Sequence, residues 1–323
     1  MWAALFPGQG SQHVGMGKFL FENFTTARLR FEEASDILGT DFKRLCFEGP
    51  ESDLALTENT QPALLLVSTC AFQCFSEETS FQPLAAAGHS VGEYAAVVAG
   101  ESLRFSDAIK AVKTRGQSMQ QAVPVGEGGM AAVMGLDEAQ VRHMCLWAEE
   151  QSGFTPLEPA NFNAPGQIVI SGNQKAIDWL KENLTKDIFK PAPSKVRIIP
   201  LKVSAPFHCS MMKPAREIMH NVLHNLEFSR SQFPIVQNVD AQNYSSGNSL
   251  RQHLIEQVDS PVRWIQCVEK LRDLGATQVI EFGSGQVLSG LVKKIDSEHL
   301  ATFNMNALDE FKAVVSAYNQ DNA

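Results

Sequence analysis

Short apolar runs alternate with amphipathic stretches along most of the chain, a pattern typical of an α/β layer structure with a mainly parallel sheet. The run Trp2 to Phe6 ends at the turn signal Pro7-Gly8, and the run Pro83 to His89 precedes a helical stretch from Val91 to Val98. The same alternation closes the chain, with strands predicted over Thr277 to Phe282 and Ala301 to Met305, and helices over Gln286 to Ile295 and Ala307 to Tyr318. The two ends of the chain therefore predict one large α/β domain.

The middle of the chain has a different order of elements. After a glycine-rich connection, Val123 to Gly129, the pattern predicts strand, helix, strand, strand, helix and strand, which is the ferredoxin-like βαββαβ unit. These elements are Met130 to Leu136, Asp137 to Gln151, Pro159 to Asn163, Gln167 to Ser171, Asn173 to Leu184 and Lys195 to Leu201. We expect residues 125–201 to form a small subdomain inserted into a large domain of residues 1–124 and 202–323, with a ligand cleft between them.

Composition and charge narrow the function classes. The chain has 323 residues, of which 44% are hydrophobic and 20% charged. This composition and length are typical of a globular protein that is stable without disulfide bonds. The net charge of −9 argues against nucleic-acid binding. The longest apolar stretch, Ala63 to Phe72, is about half of the roughly 20 residues that a membrane span needs, and the N-terminus lacks the basic region of a signal peptide. We expect a cytoplasmic protein that binds no membrane.

The cysteines and histidines show no metal-ligand spacing. The six cysteines include no CxxC pair, and the eight histidines form no HExxH motif. Scattered cysteines in a chain of this class are typical of buried, reduced thiols. We expect no metal and no cofactor.

The strongest candidate for chemistry is the segment Gly88-His89-Ser90-Val91-Gly92, a G-x-S-x-G between a predicted strand and a predicted helix. That context is the nucleophile elbow of α/β-hydrolases, in which the glycines permit a tight turn that exposes the serine oxygen. The N–H of Val91 can then face a developing oxyanion. The alternative is a purely structural glycine-rich turn. The elbow is the better interpretation, so the predicted fold is a large α/β-hydrolase-like domain with an inserted ferredoxin-like subdomain.

A serine needs a base before it acts as a nucleophile. His208 lies in an irregular segment, Ser204 to Cys209, directly after the strand that closes the insertion, where α/β folds place catalytic groups. We expect His208 to be the base, the alternative being a buried histidine satisfied by the backbone. His89 adjoins Ser90, but neighbouring side chains on a tight turn diverge, so it is expected to pack or to hold the elbow. No acidic residue between Ser90 and His208 follows a strand of the large domain, so a backbone or amide carbonyl could orient His208 instead.

A buried guanidinium is predicted on the helix Asp107 to Ala122, for which Ser106 is the expected N-cap. Arg115 lies on the apolar stripe of this helix and therefore faces inward. Buried arginines are paired, either with an internal acid or, bidentately, with the carboxylate of a substrate. The residues alone leave these two interpretations equal.

Two turns have both a structural and a functional interpretation. The segment Gly8 to Gln12 follows the first strand and is either a plain tight turn or a loop that brings the N–H of Gln9 to the oxyanion. Asn161 and Asn163 precede Pro165-Gly166, where they serve either the hairpin or the cleft.

Six segments of the chain carry a family resemblance in their order and spacing. They are Phe6 to Gln12 (FPGQGSQ), Gly88 to Tyr94 (GHSVGEY), Arg115-Gly116 with Met119-Gln120, Asn161 to Gln167 (NFNAPGQ), Ala205 to Met212 (APFHCSMM) and Pro261 to Trp264 (PVRW). Together they resemble the malonyl-CoA:acyl carrier protein transacylase family over nearly the whole chain.

The resemblance implies an acyltransferase. Ser90 would take a malonyl group from coenzyme A as an ester and pass it to the phosphopantetheine thiol of an acyl carrier protein. His208 would be the general base, and Arg115 would hold the malonyl carboxylate. The coenzyme A thioester is a substrate in this reaction. The carrier protein of such a reaction serves either fatty acid or polyketide synthesis.

The resemblance also assigns supporting roles. The N–H groups of Gln9 and Val91 would form the oxyanion hole, and the main-chain carbonyl of Gln257 would orient the base. Phe207 is similar to the residue of malonyl-selective members, because a bulky ring restricts the space beside the central carbon of the substrate. Val91 stands where many members carry Leu, and Phe207 where some bacterial stand-alone forms carry Ser. The expected cleft-lining residues are His89, Asn161, Asn163 and Phe207.

A local reversal of charge suggests where an acidic carrier protein would dock. Between Lys181 and Glu217 the chain has eight basic and three acidic residues. The basic stretch Lys181 to Arg216 is either a docking surface or an ordinary solvated face. Two other functions use the same residues: a serine esterase or thioesterase on the same elbow, and a non-catalytic α/β binding module.

Overall fold

The structure is a computed structural model that describes residues 1–203 and 205–322. Ser204, in the segment leading to His208, and Ala323, at the end of the predicted large domain, lie outside the described residues. Within those residues ten strands form two sheets. The strands are β1 Trp2–Phe6, β2 Ala86–Gly88, β3 Gly128–Met134, β4 Leu157–Ala164, β5 Gln167–Asn173, β6 Arg197–Pro200, β7 Ile235–Val236, β8 Asn243–Tyr244, β9 Gln278–Glu281 and β10 Ala301–Asn304.

Fourteen α-helices occur in the same described ranges. They are α1 Lys18–Asn23, α2 Thr25–Leu38, α3 Phe42–Phe47, α4 Glu51–Leu54, α5 Thr57–Thr79, α6 Gly92–Ala99, α7 Phe105–Gln121, α8 Glu138–Ser152, α9 Gln174–Asn183, α10 Lys213–His224, α11 Gly247–Glu256, α12 Trp264–Asp273, α13 Val287–Asp296 and α14 Leu308–Asp321. Short 3-10 helices lie in the connections at Lys186–Ile188, Ser210–Met212 and Gln257–Asp259.

The larger sheet has the strand order β10-β9-β1-β2-β7-β8. Its neighbouring strands are parallel except for the edge pair of β7 and β8. The side chains of β1 enter two separate apolar clusters: Trp2, Ala4 and Phe6 on one face, and Ala3 and Leu5 on the other. Burial on both faces explains why β1 is a continuous apolar run. The predicted α/β-hydrolase-like domain with a mainly parallel sheet is confirmed.

The direction of these strands brings several loops together. Because β1, β2 and β7 are parallel and in register, their last residues Phe6, Gly88 and Val236 lie at the same edge of the sheet. Ligand sites of open α/β sheets form at this carboxyl edge. The loops carrying Gln9 and Ser90 therefore start side by side.

The smaller sheet is antiparallel, in the order β4-β5-β3-β6. With α8 and α9 it forms the βαββαβ unit, so the predicted ferredoxin-like subdomain is confirmed. It has its own apolar cluster, which includes Val133, Ile170 and Leu180. Strand β4 is also joined to the rest of the molecule, since the N–H of Phe162 donates to the carbonyl of Val262 at 2.9 Å.

Most predicted elements differ from the observed ones by up to three residues at an end, and two differences have a clear physical reason. The strand expected over Pro83 to His89 is reduced to β2, since proline cannot donate to a strand ladder and the chain turns directly after β2. Helix α7 begins at Phe105, so its N-cap is Arg104 and the prediction of Ser106 is wrong. Asp107 then lies in the first turn, where it accepts a hydrogen bond from Nε of Arg104 at 2.9 Å and complements the helix dipole.

The longest apolar stretch, Ala63 to Phe72, lies inside the largely buried helix α5. Across residues 1–203 and 205–322, none of the helices has both the length and the apolar character that crossing a bilayer requires. All six cysteines are buried and carry free thiols.

Candidate active site

The turn between β2 and α6 holds Ser90 in an unusual backbone conformation. Its φ angle of 53° is in the left-handed region, which is strained for any residue except glycine. The flanking glycines are needed for packing. A Cβ on Gly88 would lie 2.0 Å from the carbonyl carbon of Gly92, and a Cβ on Gly92 would lie 2.1 Å from the oxygen of Phe6. The G-x-S-x-G spacing therefore reflects a close crossing of backbone at the elbow.

The serine hydroxyl lies against an imidazole from a distant part of the chain. Ser90 Oγ is 2.7 Å from Nε2 of His208, and Nδ1 of His208 is 2.9 Å from the carbonyl oxygen of Gln257. A carbonyl can only accept, so Nδ1 carries the proton and Nε2 is left to accept from the hydroxyl. A main-chain carbonyl thus takes the place that an acid has in a Ser-His-Asp triad.

The environment keeps this imidazole neutral. His208 is 4% exposed. Burial, followed by the positive charge of Arg115, lowers the pKa of His208 to about 3, although its hydrogen bond to Gln257 acts in the opposite direction. At neutral pH the ring is therefore an unprotonated base next to the hydroxyl.

Arg115 reaches the same point from α7. It is 1% exposed, and its Nη2 donates to Oε1 of Gln257 at 2.8 Å and to Oγ of Ser90 at 3.1 Å. Nη1 donates to Oε1 of Gln61 at 2.9 Å. These partners are neutral, and in the described part of the chain Nε has no hydrogen-bond partner and no acid forms an ion pair with the guanidinium. The interpretation of Arg115 as half of an internal salt bridge is therefore wrong, and its charge is available to an anion.

A cavity of about 150 Å³ surrounds these groups. Six predicted residues line it together with Ser90, His208 and Arg115: Gln9, His89, Val91, Asn161, Asn163 and Phe207. Apolar lining comes largely from the smaller sheet and the chain that follows it, namely Met130, Val169, Leu201 and Val203. Within residues 1–203 and 205–322, no three His, Cys, Asp or Glu side chains are grouped so that they could hold a metal ion.

The cavity also has free backbone donors. The loop after β1 packs closely on the elbow, since a Cβ on Gly8 would lie 2.4 Å from the carbonyl oxygen of His89. No acceptor in the described residues is paired with the N–H of Gln9 or of Val91. Two unpaired N–H groups beside a nucleophile can stabilise negative charge on an oxygen.

His89 joins the elbow to the smaller sheet. Its Nε2 lies 2.8 Å from Oδ1 of Asn163, and its ring packs 5.5 Å from the ring of Trp264. It has no contact with the Ser90 hydroxyl, in line with the expected divergence of neighbouring side chains. Gln257 also contributes more than its carbonyl, because its side chain is bonded to Arg115 and to the carbonyl of Ser90.

Sequence reasoning missed several polar residues around the site. Gln61 is 2% exposed inside α5, but it follows the polar residues 57–60 and precedes the apolar run, so no sequence signal marks it. Glu93 lies in the first turn of α6, where its side chain is fully buried and accepts from the N–H of Asn238 at 2.7 Å. Asn238 follows the two-residue strand β7, and the amide pair Gln237-Asn238 after a short apolar run was the available signal.

One cleft of this α/β fold holds a serine hydroxyl, a neutral imidazole and a guanidinium whose hydrogen-bond partners are all neutral. These groups define an enzyme-like site for acyl transfer. A family model described as the acyl transferase domain matches residues 4–302, so the chain belongs to the acyl transferase family.

Individual relatives match over the full length. The chain is 41% identical over 320 residues to a Bacillus subtilis (strain 168) protein named malonyl CoA-acyl carrier protein transacylase, covering 99% of this chain and 98% of that protein. A crystal structure of an acyl carrier protein S-malonyltransferase from Vibrio cholerae is 40% identical with a TM-score of 0.89, covering 97% of this chain and 99% of the other. A malonyl-transacylase in complex with its type II PKS acyl-carrier protein is 38% identical with a TM-score of 0.91, covering 98% and 99%.

Proposed function

We propose that this chain transfers a malonyl group from coenzyme A to the phosphopantetheine thiol of an acyl carrier protein through an ester on Ser90. The observation that carries this proposal is the 3.1 Å separation of Arg115 Nη2 from Ser90 Oγ, with no acid on the guanidinium among the described residues. An acyl group bound to this serine places its far end against a cation. A short diacid such as malonyl, with one methylene between its two carbonyl carbons, suits so small a separation.

The first half-reaction acylates the serine. Ser90 Oγ attacks the thioester carbon while its proton passes to Nε2 of His208, and Nδ1 keeps its own proton, which it donates to the carbonyl of Gln257. The N–H groups of Gln9 and Val91 stabilise the tetrahedral oxyanion. The carbon–sulfur bond then breaks, and the coenzyme A thiolate leaves with the proton from His208.

The second half-reaction reverses these steps with another thiol. The phosphopantetheine thiol gives its proton to His208 and attacks the ester carbonyl. Ser90 leaves and recovers the proton. Both half-reactions use one site, so the kinetics are of the double-displacement type. No step requires a metal or a redox cofactor, and coenzyme A enters as a substrate.

The remaining cleft residues set the selectivity. Phe207 is 7% exposed and lies directly before His208, where its ring limits the space for a branch on the central carbon of the acyl group. His89, Asn161 and Asn163 supply polar groups to the lining of the same cavity.

We place the boundaries of the large part at residues 1–124 and 202–323 and those of the small part at 125–201. The two separate sheets and the separate apolar cluster of the smaller one support this division. A cytoplasmic location is supported by six free thiols, which are typical of a reducing compartment.

The carrier protein is proposed to dock on the basic stretch Lys181 to Arg216. The charged side chains of this stretch are mostly exposed, and Lys202 lies between Leu201 and Val203, which line the cavity. A basic surface at the mouth of the cleft would attract an acidic partner and shorten its search for the site.

The experiment that tests the proposal is mass spectrometry of the chain after incubation with malonyl-CoA. We expect a malonyl adduct on the peptide that contains Ser90, loss of that adduct when a holo acyl carrier protein is added, and no adduct on Ser90→Ala. Release of malonate to water without transfer would identify an esterase or thioesterase. The absence of any adduct on the wild-type chain would identify a binding module.

A further inference from the structure

Asn238 bridges the backbone on both sides of His89 in the elbow. Its Oδ1 accepts from the N–H of Ser90 at 2.8 Å, and its Nδ2 donates to the carbonyl of Gly88 at 2.7 Å. Asn238 is fully buried and does not line the catalytic cavity. One side-chain amide therefore fixes the backbone before and after His89, beneath the nucleophile, without lining the cavity.

These bonds act where the backbone is strained. Ser90 has a φ angle of 53°, and such a conformation persists only when surrounding contacts hold it. Without Oδ1 of Asn238, the N–H of Ser90 would be a partly buried donor with no partner in the described residues. The unpaired donor would favour another arrangement of the turn, and the hydroxyl would move away from His208.

Asn238 also orients the neighbouring amide of Gln257. Nε2 of Gln257 lies 3.3 Å from Oδ1 of Asn238 and donates to the carbonyl of Ser90 at 3.0 Å. The carbonyl of Ser90 and the N–H of Val91 belong to one trans peptide and point in opposite directions. Holding that carbonyl on the buried side therefore turns the N–H of Val91 toward the cavity.

Asn238 is itself held by charged and backbone groups. Its N–H donates to Oε2 of Glu93 at 2.7 Å, and its carbonyl accepts from the N–H of Arg263 at 3.1 Å. The other oxygen of Glu93 accepts from Nε2 of Gln237 at 3.0 Å. Glu93 lies in the first turn of α6, so this carboxylate joins the helix that follows the nucleophile to the loop after β7.

We propose that Asn238 is a positioning residue for the acylation of Ser90 and that Glu93 supports it. The amide holds the serine hydroxyl in line with His208 and the Val91 N–H toward the oxyanion. The inference rests on the proposed acyl transfer, since it explains how the serine of that reaction is presented.

The test is single-turnover loading from malonyl-CoA, with the Ser90 ester quantified by mass spectrometry at successive times. In Asn238→Ala we expect the maximal loading rate to fall roughly 100-fold, the cost typical of a reacting group misplaced by about 1 Å. The half-saturating malonyl-CoA concentration should change less than about threefold, since Arg115 and the cavity wall are intact. Asn238→Asp keeps the acceptor for Ser90 but loses the donor to Gly88, so its rate should lie between those of Asn238→Ala and the wild type.

A matched control separates positioning from stability. Ser231 is 4% exposed near the other end of β7, and its Oγ donates to the carbonyl of Phe233 at 2.7 Å. Ser231→Ala loses a buried side-chain bond to the backbone but none at the elbow, so it should load at the wild-type rate even though it loses thermal stability.

Each outcome has one meaning. A loading rate of Asn238→Ala within about threefold of Ser231→Ala, or a rise in half-saturation at an unchanged maximal rate, would overturn the inference. If Asn238→Ala does not fold by circular dichroism, Asn238→Asp decides, and a wild-type rate in that variant rejects the role. A wild-type chain that forms no adduct at all would instead refute the proposed function.

Discussion

The guanidinium of Arg115 and the hydroxyl of Ser90 lie within hydrogen-bonding distance, with Nη2 3.1 Å from Oγ. The amide oxygen of Gln257 shares the same nitrogen at 2.8 Å. A buried cation held by neutral groups is incompletely compensated, because hydrogen-bonded dipoles replace only part of its hydration. The carboxylate of an acyl group on Ser90 would complete that compensation.

Replacing Arg115 by Ala should therefore alter which acyl group is loaded. Two charge-assisted hydrogen bonds to the malonyl carboxylate would be lost, worth about 3 kcal/mol together, or roughly 100-fold in kcat/KM. Loading of acetyl-CoA, which has no carboxylate, should change much less. The measurement is the ratio of kcat/KM for malonyl-CoA and acetyl-CoA in wild type and variant.

Arg142→Ala is the matched control for that ratio. Arg142 is an arginine on α8 whose ion pair with Glu138 is exposed, and it does not line the cavity. If the ratio of kcat/KM for malonyl-CoA and acetyl-CoA is unchanged in Arg115→Ala, or changes equally in both variants, Arg115 does not bind the malonyl carboxylate.

The pH dependence of loading should reflect the unusual environment of His208. Burial and the charge of Arg115 lower its pKa to about 3, so the free enzyme keeps a neutral base throughout the range from pH 8 to pH 5. The profile of kcat/KM reports groups of the free enzyme. In Glu93→Gln, whose neighbouring carboxyl no longer titrates, we expect the profile to stay flat over this range, whereas an ordinary imidazole would lose half its activity near pH 6.5. A clear inflection near pH 6.5 in that variant, with the protein still folded at pH 5 by circular dichroism, would contradict this.

Glu93 should make the protein less stable as the pH rises. Burial raises the pKa of its carboxyl from 4.5 to about 7, against the opposing hydrogen bonds from Asn238, Gln257 and Gln237. Between these values the folded chain holds a proton that the unfolded chain releases, so this group lowers the free energy of unfolding with increasing pH, by up to about 1.4 kcal/mol per pH unit. Glu93→Gln removes the effect. Urea unfolding gives the free energy of unfolding of both proteins at pH 5 and pH 8. We expect the stability of the variant relative to the wild type to be higher at pH 8 than at pH 5. An equal difference at both pH values would reject the assignment.

Much of the fold could be predicted because its signals are local. The apolar run of β1 and the G-x-S-x-G turn each specify structure within a few residues. The βαββαβ order follows because strands and helices have different hydrophobic periods, which alternate along this part of the chain. Arg115 could be placed inward by helical spacing alone. Its pairing could not be predicted, because whether an acid faces a buried arginine depends on residues such as Gln61 and Gln257, which are distant in the sequence.

The network beneath the elbow could not be predicted for a related reason. Asn238 and Glu93 are 145 positions apart, and their contact arises only because β7 lies beside β2 in the sheet. A strand of two residues is too short to show the alternation of apolar and polar positions by which strands are recognised in a sequence. Glu93 stands in the first turn of a helix, where acids complement the helix dipole, so local reasoning accounts for its position but not for its burial against Asn238.

Reversing two charges of the basic stretch should slow the second half-reaction but not the first. Lys190 and Lys195 are exposed, and neither lines the catalytic cavity. The double variant Lys190→Glu, Lys195→Glu should load from malonyl-CoA at the wild-type rate but transfer to the acyl carrier protein more slowly, roughly tenfold at low salt, because steering of an acidic partner is lost. The control variant Lys110→Glu, Lys312→Glu has the same change of net charge at two exposed lysines in helices outside the basic stretch. It should transfer at the wild-type rate. Equal slowing of both half-reactions, or equal effects of the two pairs, would place the docking surface elsewhere.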